Sequence, residues 1–398
     1  MENLLGMKGI KVIDLSRVIA GPWCGALLGD LGAEVIKVEG VASGDESRSW
    51  PPHKDGEAAA YLHFNRNKRS VCLDLKKQEG IEVLKTLIRE ADVLIENFRT
   101  GTMESFGLGY ETLSEINPRL VYASVSAFGR SGPLKDRAGY EALMQAYTGI
   151  MSITGEPDGQ PVRSGVSLLD LSTGILCALG ISTALLNRAR TGRGQRVEAS
   201  LFETAVSMLA FHAAGYLMSG AVPKALGSSH PSLCPYRTFE CDGGEYIFIA
   251  AGNDRFWAKL AKALGLDDLA TDPKYEKNKD RVSNRVELER ILAEKIITFK
   301  RDTLLAMLED ADVPATPVNS VPQALNTPQA QECGIIQHVD HKKLGEIPYI
   351  GTPLKFSGQV PRIRQAAPLY GEHTYEVLAE HGYTKTEIDQ LVEKQIAG

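Results

Sequence analysis

Between Ile10 and Gly129 the chain alternates short apolar runs with helix-like segments, and few architectures accept that alternation. "IKVIDLS", "AEVIKVE", "SVCLDL", "DVLIENF" and "LVYASVSAFG" read as buried strands. "GPWCGALLGDLG" reads as a helix with Pro22 near its start and Gly32 at its end. "KQEGIEVLKTLIREA" repeats its apolar residues at helical spacing. Apolar strands separated by helices predict an α/β fold with a parallel sheet covered on both faces. Ligands of such sheets bind outside the carboxyl ends of the strands. That rule points to "LSRVIAGP", "VEGVASGDESR" and "ENFRTGTM".

Bulk numbers remove several classes. At 398 residues the chain exceeds the usual limit of one hydrophobic core, so two domains or a substantial insertion are expected. A formal net charge of −6 argues against nucleic acid as the main partner, yet leaves room for a local basic pocket. Cysteines at 24, 72, 177, 234, 241 and 333 form no CxxC pair and no zinc-ligand spacing, so no metal site is expected. Reduced, buried thiols in a cytoplasmic setting fit them better than disulfides. The start "MENLLGMKGIKVIDLS" lacks the basic residues and apolar core of a signal peptide. The apolar run "GILCALGISTALL" has 13 residues, and no membrane partner is expected because a span needs about 20. No GxGxxG follows the first strand and no GxxxxGK[ST] occurs, so nicotinamide, flavin and P-loop chemistry find no support.

The texture changes after residue 187. "NRARTGRGQRVEASLFETAVSMLAFHAAGYLMSG" reads as a basic turn followed by a long apolar helix. "GSSHPSLCPYRTFECDGGEYIFIAAG" reads as a loop leading into a hairpin around Asp242, Gly243 and Gly244. Charged helices follow, and the proline-rich "DVPATPVNSVPQAL" is placed as a crossing back between domains, ahead of a helical tail.

Inside "SGVSLLDLSTGILCALGI", residues 164 to 181, stands a single carboxylate, Asp170. It reads either as a helix cap, a role Ser172 could also fill, or as a nucleophile. A helix dipole would help keep it ionised in both cases.

Ten stretches in order carry a resemblance over nearly the whole chain. They are "GIKVIDLSRVIAGPWCGALLGDLGAEVIKVE", "GDESR", "NRNKRSVCLDL", "ADVLIENFRTG", "YASVSAFGRSGP", "LLDLSTG", "TGRGQRVEASLFE", "HPSLCPYRTFECDGG", "VPATPVN" and "APLYGEHT". In that order they resemble the class III CoA-transferases, the family of formyl-CoA transferase and carnitine CoA-transferase. "SLLDLSTG" and the N-terminal segment look nearest to members that use succinyl-CoA and a dicarboxylic acid. The resemblance implies a large Rossmann-like domain from residues 1–220 and 326–398, a smaller α+β domain at 221–325, and a homodimer of interlocking chains.

It also implies that Asp170 is the nucleophile, passing through a mixed anhydride and an enzyme-CoA thioester. Each step trades one activated carbonyl for another, so coenzyme A enters as substrate and no prosthetic group is called for. Tyr140 and Glu141 match a pair near the nucleophile. Lys37, Asn97, Phe98 and Arg99 match family CoA contacts, and Val18 and Ala20 would meet the nucleotide through backbone. Arg66, Lys68 and Arg69 would meet CoA phosphates, although from charge alone "NRNKRS" reads as a solvated loop. Arg17 and Arg48 are candidates for a substrate carboxylate. Some relatives carry a run of glycines before the small-domain hairpin, where this chain has Gly227, Ser228, Ser229, His230 and Pro231. His230 is read either as an ordinary loop residue or as part of the site. Two rivals remain: a CoA-ester racemase of the same fold and a catalytically idle CoA-binding protein. Racemases of this fold carry Gly-His-Asp where this chain has Gly139, Tyr140 and Glu141, and a tyrosine with its usual pKa of about 10 is a poor base at neutrality.

Overall fold

The structure, a computed structural model, describes residues 5–398. The expected strands form: β1 Lys11–Asp14, β2 Glu34–Glu39, β3 Lys68–Cys72, β4 Val93–Glu96 and β5 Val121–Ser126. A sixth, β6 Arg196–Ser200, arises where the sequence reads as a turn into a helix. Its "RVEAS" pairs in parallel with β5 at the edge of the sheet, and edge strands need no continuous apolar run. The sheet runs β3-β2-β1-β4-β5-β6, all parallel. The order reverses between β1 and β4, so the crevice at their carboxyl ends is where a doubly wound sheet takes its ligand.

Four helices pack around these strands. The first, α1 Ala20–Asp30, follows β1, and α2 Gln78–Arg89 buries Ile81, Leu84, Leu87 and Ile88 in the core with Ile13, Ile36 and Leu94. After α3 Glu141–Tyr147 comes α4 Leu168–Thr191, 24 residues and apolar enough in composition to cross a membrane. Here, however, α4 is a core helix on one side: Leu169, Cys177, Ile181 and Ala184 are fully buried, and Arg188 donates to Asp92 Oδ1 at 2.7 Å. A Cβ on Gly174 would lie 2.7 Å from the Ala20 carbonyl oxygen and 2.9 Å from Trp23, so glycine is what lets α1 and α4 approach. The long apolar helix expected after residue 200 is two, α5 Leu201–Met208 and α6 Ala210–Ser219, bent by 70° where Ala210 takes φ 44°.

Backbone contacts divide the chain into two units. One holds residues up to Thr148, Ser164–Ala214 and Gln329–Gly398. The other holds Gly149–Arg163 and Gly215–Pro328, so it includes a short segment that the sequence reading leaves in the large domain. Gly227 N–H donates to the Gly155 carbonyl at 2.8 Å within this second unit. The hairpin around Asp242–Gly244 forms there from β7 Tyr236–Glu240 and β8 Tyr246–Ala250. Strand β9 Ala315–Pro317 completes its sheet, over a core of Phe239, Ile247, Trp257, Leu260 and Leu292. The tail is helical over Thr374–Glu380 and Lys385–Glu393.

Beneath the sheet's carboxyl edge lie charges with no exposed side-chain surface. Lys68 Nζ meets Asp14 Oδ2 at 2.8 Å and donates to the Pro22 carbonyl and Asn65 Oδ1. Burial alone would raise Asp14, but the Lys68 and Lys37 charges outweigh it and hold its carboxyl below the usual value. Burial lowers Lys68 to about 8 even against Asp14. Removing one partner of such a pair strands the other in a dry interior. Lys68→Met is therefore expected to lower the unfolding free energy by about 3–5 kcal/mol. Urea titration followed by circular dichroism checks this, and an unchanged midpoint would count against the pair as a structural keystone.

Candidate active site

A cavity of about 330 Å³ opens at the switch point. Its walls are Arg17–Ala20 after β1, Asn97–Thr100 after β4, Val125–Ala127 at the end of β5, the stretch Lys135–Glu141, and Asp170. Nine residues proposed from sequence thus come together: Arg17, Val18, Ala20, Asn97, Phe98, Arg99, Tyr140, Glu141 and Asp170. Asn97 clasps the loop after β1, accepting from Arg17 N–H at 2.9 Å and donating to the Arg17 carbonyl at 2.7 Å. The Arg17 guanidinium lies 5.3 Å from the Phe98 ring centre. Lys135 and Arg137 also line the wall, and the sequence reading missed both. Their signal was available: "LKDRAGYE" places two exposed cations just ahead of the Tyr140–Glu141 pair.

Asp170 is not a cap. The α4 helix starts at Leu168, and Ser167 holds the cap position without a side-chain bond, which puts Asp170 in the first turn. The capping oxygen comes from another helix: Glu141 Oε1 accepts from Leu169 N–H at 3.4 Å. Gln145 fixes that carboxylate, donating to Glu141 through its amide nitrogen and accepting from Ser164 N–H at 2.8 Å. Near a helix N-terminus a carboxyl would be expected to acidify. Here burial, followed by the neighbouring Glu141 charge, pushes Asp170 up to about 7.

A second cavity of about 190 Å³ shares Arg17 and Phe98 with the first and reaches over the ends of β2 and β3. Leu15, Leu73 and Phe106 give it an apolar wall, Lys76 stands beside them, and Lys37, Glu39, Asp45 and Asp74 complete a charged side. None of the first four stood out in the sequence: Leu15, Leu73 and Lys76 are marked only by lying one to four residues beyond a strand end, and Phe106 lies ten residues beyond β4.

Five basic candidates turn out to be occupied inside the protein. Arg66 is fully buried, pairing with Asp30 at 2.7 Å and donating to the His63 carbonyl. Lys68 is spent on Asp14, as above. Lys37 meets Asp45 at 2.8 Å and the Ser16 carbonyl at 2.8 Å, again fully buried. Arg48 grips Glu39 through two nitrogens and lies 3.6 Å from the Tyr61 ring centre. Arg69 pairs with Glu376 and Glu380. "NRNKRS" is therefore not the solvated loop that its charge suggests, nor do Arg66 and Lys68 present surface to a phosphate. His230 lies in the second unit, where its ring Nδ1 accepts from Ser232 N–H and its own N–H donates to the Tyr236 carbonyl.

The model of CoA-transferase family III matches residues 7–374. Succinate–glutarate CoA-transferase of Agrobacterium fabrum is 41% identical over 381 residues, covering 94% of this chain and 95% of the relative. Succinyl-CoA:mesaconate CoA-transferase of Haloarcula hispanica is 40% identical, covering 94% and 96%. The crystal structure of a CaiB/BaiF family protein from Brucella suis superposes with a TM-score of 0.85 at 41% identity, covering 94% of this chain and 99% of that one.

A carboxylate must be ionised to attack. With Asp170 at about 7, kcat/KM should rise with pH through neutrality before levelling. Glu141→Gln keeps an oxygen for Leu169 N–H but removes the charge, so the rising limb should move to lower pH. A limb that stays in place would show that Glu141 does not tune Asp170.

Proposed function

The chain belongs to CoA-transferase family III, and on that premise we propose that it moves CoA reversibly from an acyl-CoA, succinyl-CoA foremost, to a second dicarboxylic acid through Asp170. The observation that carries the reading is Asp170 itself: a half-buried carboxylate in the wall of the switch-point cavity, beside a second carboxylate. Asp170 Oδ attacks the thioester carbonyl, the C–S bond breaks, and CoA leaves as thiolate with a mixed anhydride behind it. The thiolate attacks the aspartyl carbonyl, expelling the donor acid and leaving an aspartyl-CoA thioester. The acceptor carboxylate displaces CoA from that thioester, forming a new anhydride. CoA then attacks the acceptor's carbonyl, and the Asp170 carboxylate is restored.

Both covalent states of Asp170 are uncharged, whereas the resting carboxylate faces Glu141. The burial and, after it, the repulsion that raise its pKa therefore favour acylation over the free carboxylate. Arg17, Arg99, Lys135 and Arg137 suit the phosphates of CoA and the free carboxylate of a dicarboxylic acid. The second cavity, with its apolar wall and Lys76 beside it, suits the adenine end. The relatives named for succinate with glutarate and for succinyl-CoA with mesaconate support the choice of acids. A homodimer accounts for the outer face of α4 and α5, where Ile175, Leu176, Leu179, Leu186 and Met208 stand exposed.

Asp170→Ala should abolish transfer while CoA binding persists, and hydroxylamine after acyl-CoA should modify Asp170 alone. Retention of more than a few per cent of activity would remove the nucleophile assignment. A racemase would need a base where Tyr140 stands. Incubation of a 2-methylacyl-CoA in heavy water should accordingly give no α-deuteration, while CoA exchange into added glutarate proceeds in the same tube. Rapid deuteration without exchange would reverse the reading.

A further inference from the structure

Val18, in the wall of the main cavity, has φ 74°, a left-handed backbone that a β-branched residue adopts only under constraint. The constraint can be traced bond by bond. Asp45 Oδ1 accepts from Val18 N–H at 3.2 Å. Asp45 Oδ2 meets Lys37 Nζ at 2.8 Å, and the same ammonium donates to the Ser16 carbonyl at 2.8 Å. Ser47 aims the Asp45 carboxylate, donating through its N–H at 2.9 Å and its hydroxyl at 2.8 Å. With the Asn97 clasp on Arg17, three consecutive residues of the loop are pinned.

We infer that the Lys37–Asp45 pair is a positioning device for the acyl-CoA site, holding Val18 left-handed so that Arg17–Ala20 face the ligand. The inference rests on the cavity being the acyl-CoA site. Neither side chain of the pair has exposed surface, and although both residues line the second cavity, neither lies in the main cavity's wall, where the ligand is touched. Their bonds end on the backbone of the loop that does. If the grip is lost, Val18 relaxes towards negative φ and the Arg17 side of the wall turns away. Glycine at position 18 would hold the left-handed shape without the grip.

The test is a rescue. CoA itself is the probe, with binding measured by calorimetry and transfer measured alongside. Ser47→Ala should weaken CoA binding about 3-fold to 10-fold and Asp45→Asn at least about 10-fold, with kcat within about 2-fold of the parent in both. Adding Val18→Gly to either variant should bring binding back to within about 3-fold of the parent. The melting temperature of the Asp45→Asn background should stay depressed, because Lys37 still lacks its anion. A merely structural pair would move stability and binding together, and glycine would rescue neither. Failure of Val18→Gly to restore binding, or unchanged binding in Ser47→Ala and Asp45→Asn, overturns the inference. Should Asp45→Asn not fold, the Ser47→Ala background decides alone. Phe98→Ala serves as the control on the cavity: weakened CoA binding there with a failed rescue sinks only the positioning role, whereas unchanged binding sinks the assignment of the cavity and the inference with it.

Discussion

An ammonium carried out of water costs several kcal/mol unless an anion meets it, and the first three strands of the sheet are joined by such meetings. Asp14 closes β1, Lys37 sits on β2 and Lys68 opens β3, and none of the three has surface to share with solvent. Each charge is satisfied only if the others are in place. The loop after β1, the start of α1 and the segment around Asp45 are drawn in by the same requirement. A Cβ on Gly25 would lie 2.8 Å from Asp14 Oδ2, so even the helix above must stay bare to leave the pair its room. The crevice is thus shaped from below by electrostatics, before any ligand contributes.

Much of this fold can be read from residue order, because buried parallel strands cannot avoid apolar runs and their helices cannot avoid periodicity. The strand "RVEAS" escapes such reading since an edge strand needs neither. The same asymmetry governs the site. Asp170, Asn97 and Phe98 are legible because a motif fixes their place at the end of a strand or the start of a helix. The buried cations are not, because a sequence shows charge without showing depth. "NRNKRS" looks like a solvated loop, yet Arg66 and Lys68 point inward to Asp30 and Asp14, 36 and 54 residues away along the chain. Of the cations at the wall, Arg17 and Arg99 are legible from their motifs, whereas Lys135 and Arg137 lie outside them.

Glu141 ties two properties that are often separable. Its carboxylate supplies the cap that α4 lacks from its own Ser167, and its charge raises the acid one residue beyond the capped amide. The register of the helix and the reactivity of Asp170 are therefore set by one side chain. Gln145, which holds Glu141 and Ser164 at once, is the brace for both.

The tail of the chain closes the sheet that the beginning opens. Leu73 bridges to Ala397, Asp74 N–H donates to the Ile396 carbonyl at 2.8 Å, and Thr374 reaches the Gly398 carbonyl. On a ribosome these partners are made more than three hundred residues apart. At about 5–20 residues per second, the far end of β3 waits on the order of tens of seconds for its cover. This unit is thus complete only once residues 374–398 are made, and their removal would uncover residues some three hundred positions earlier in the chain.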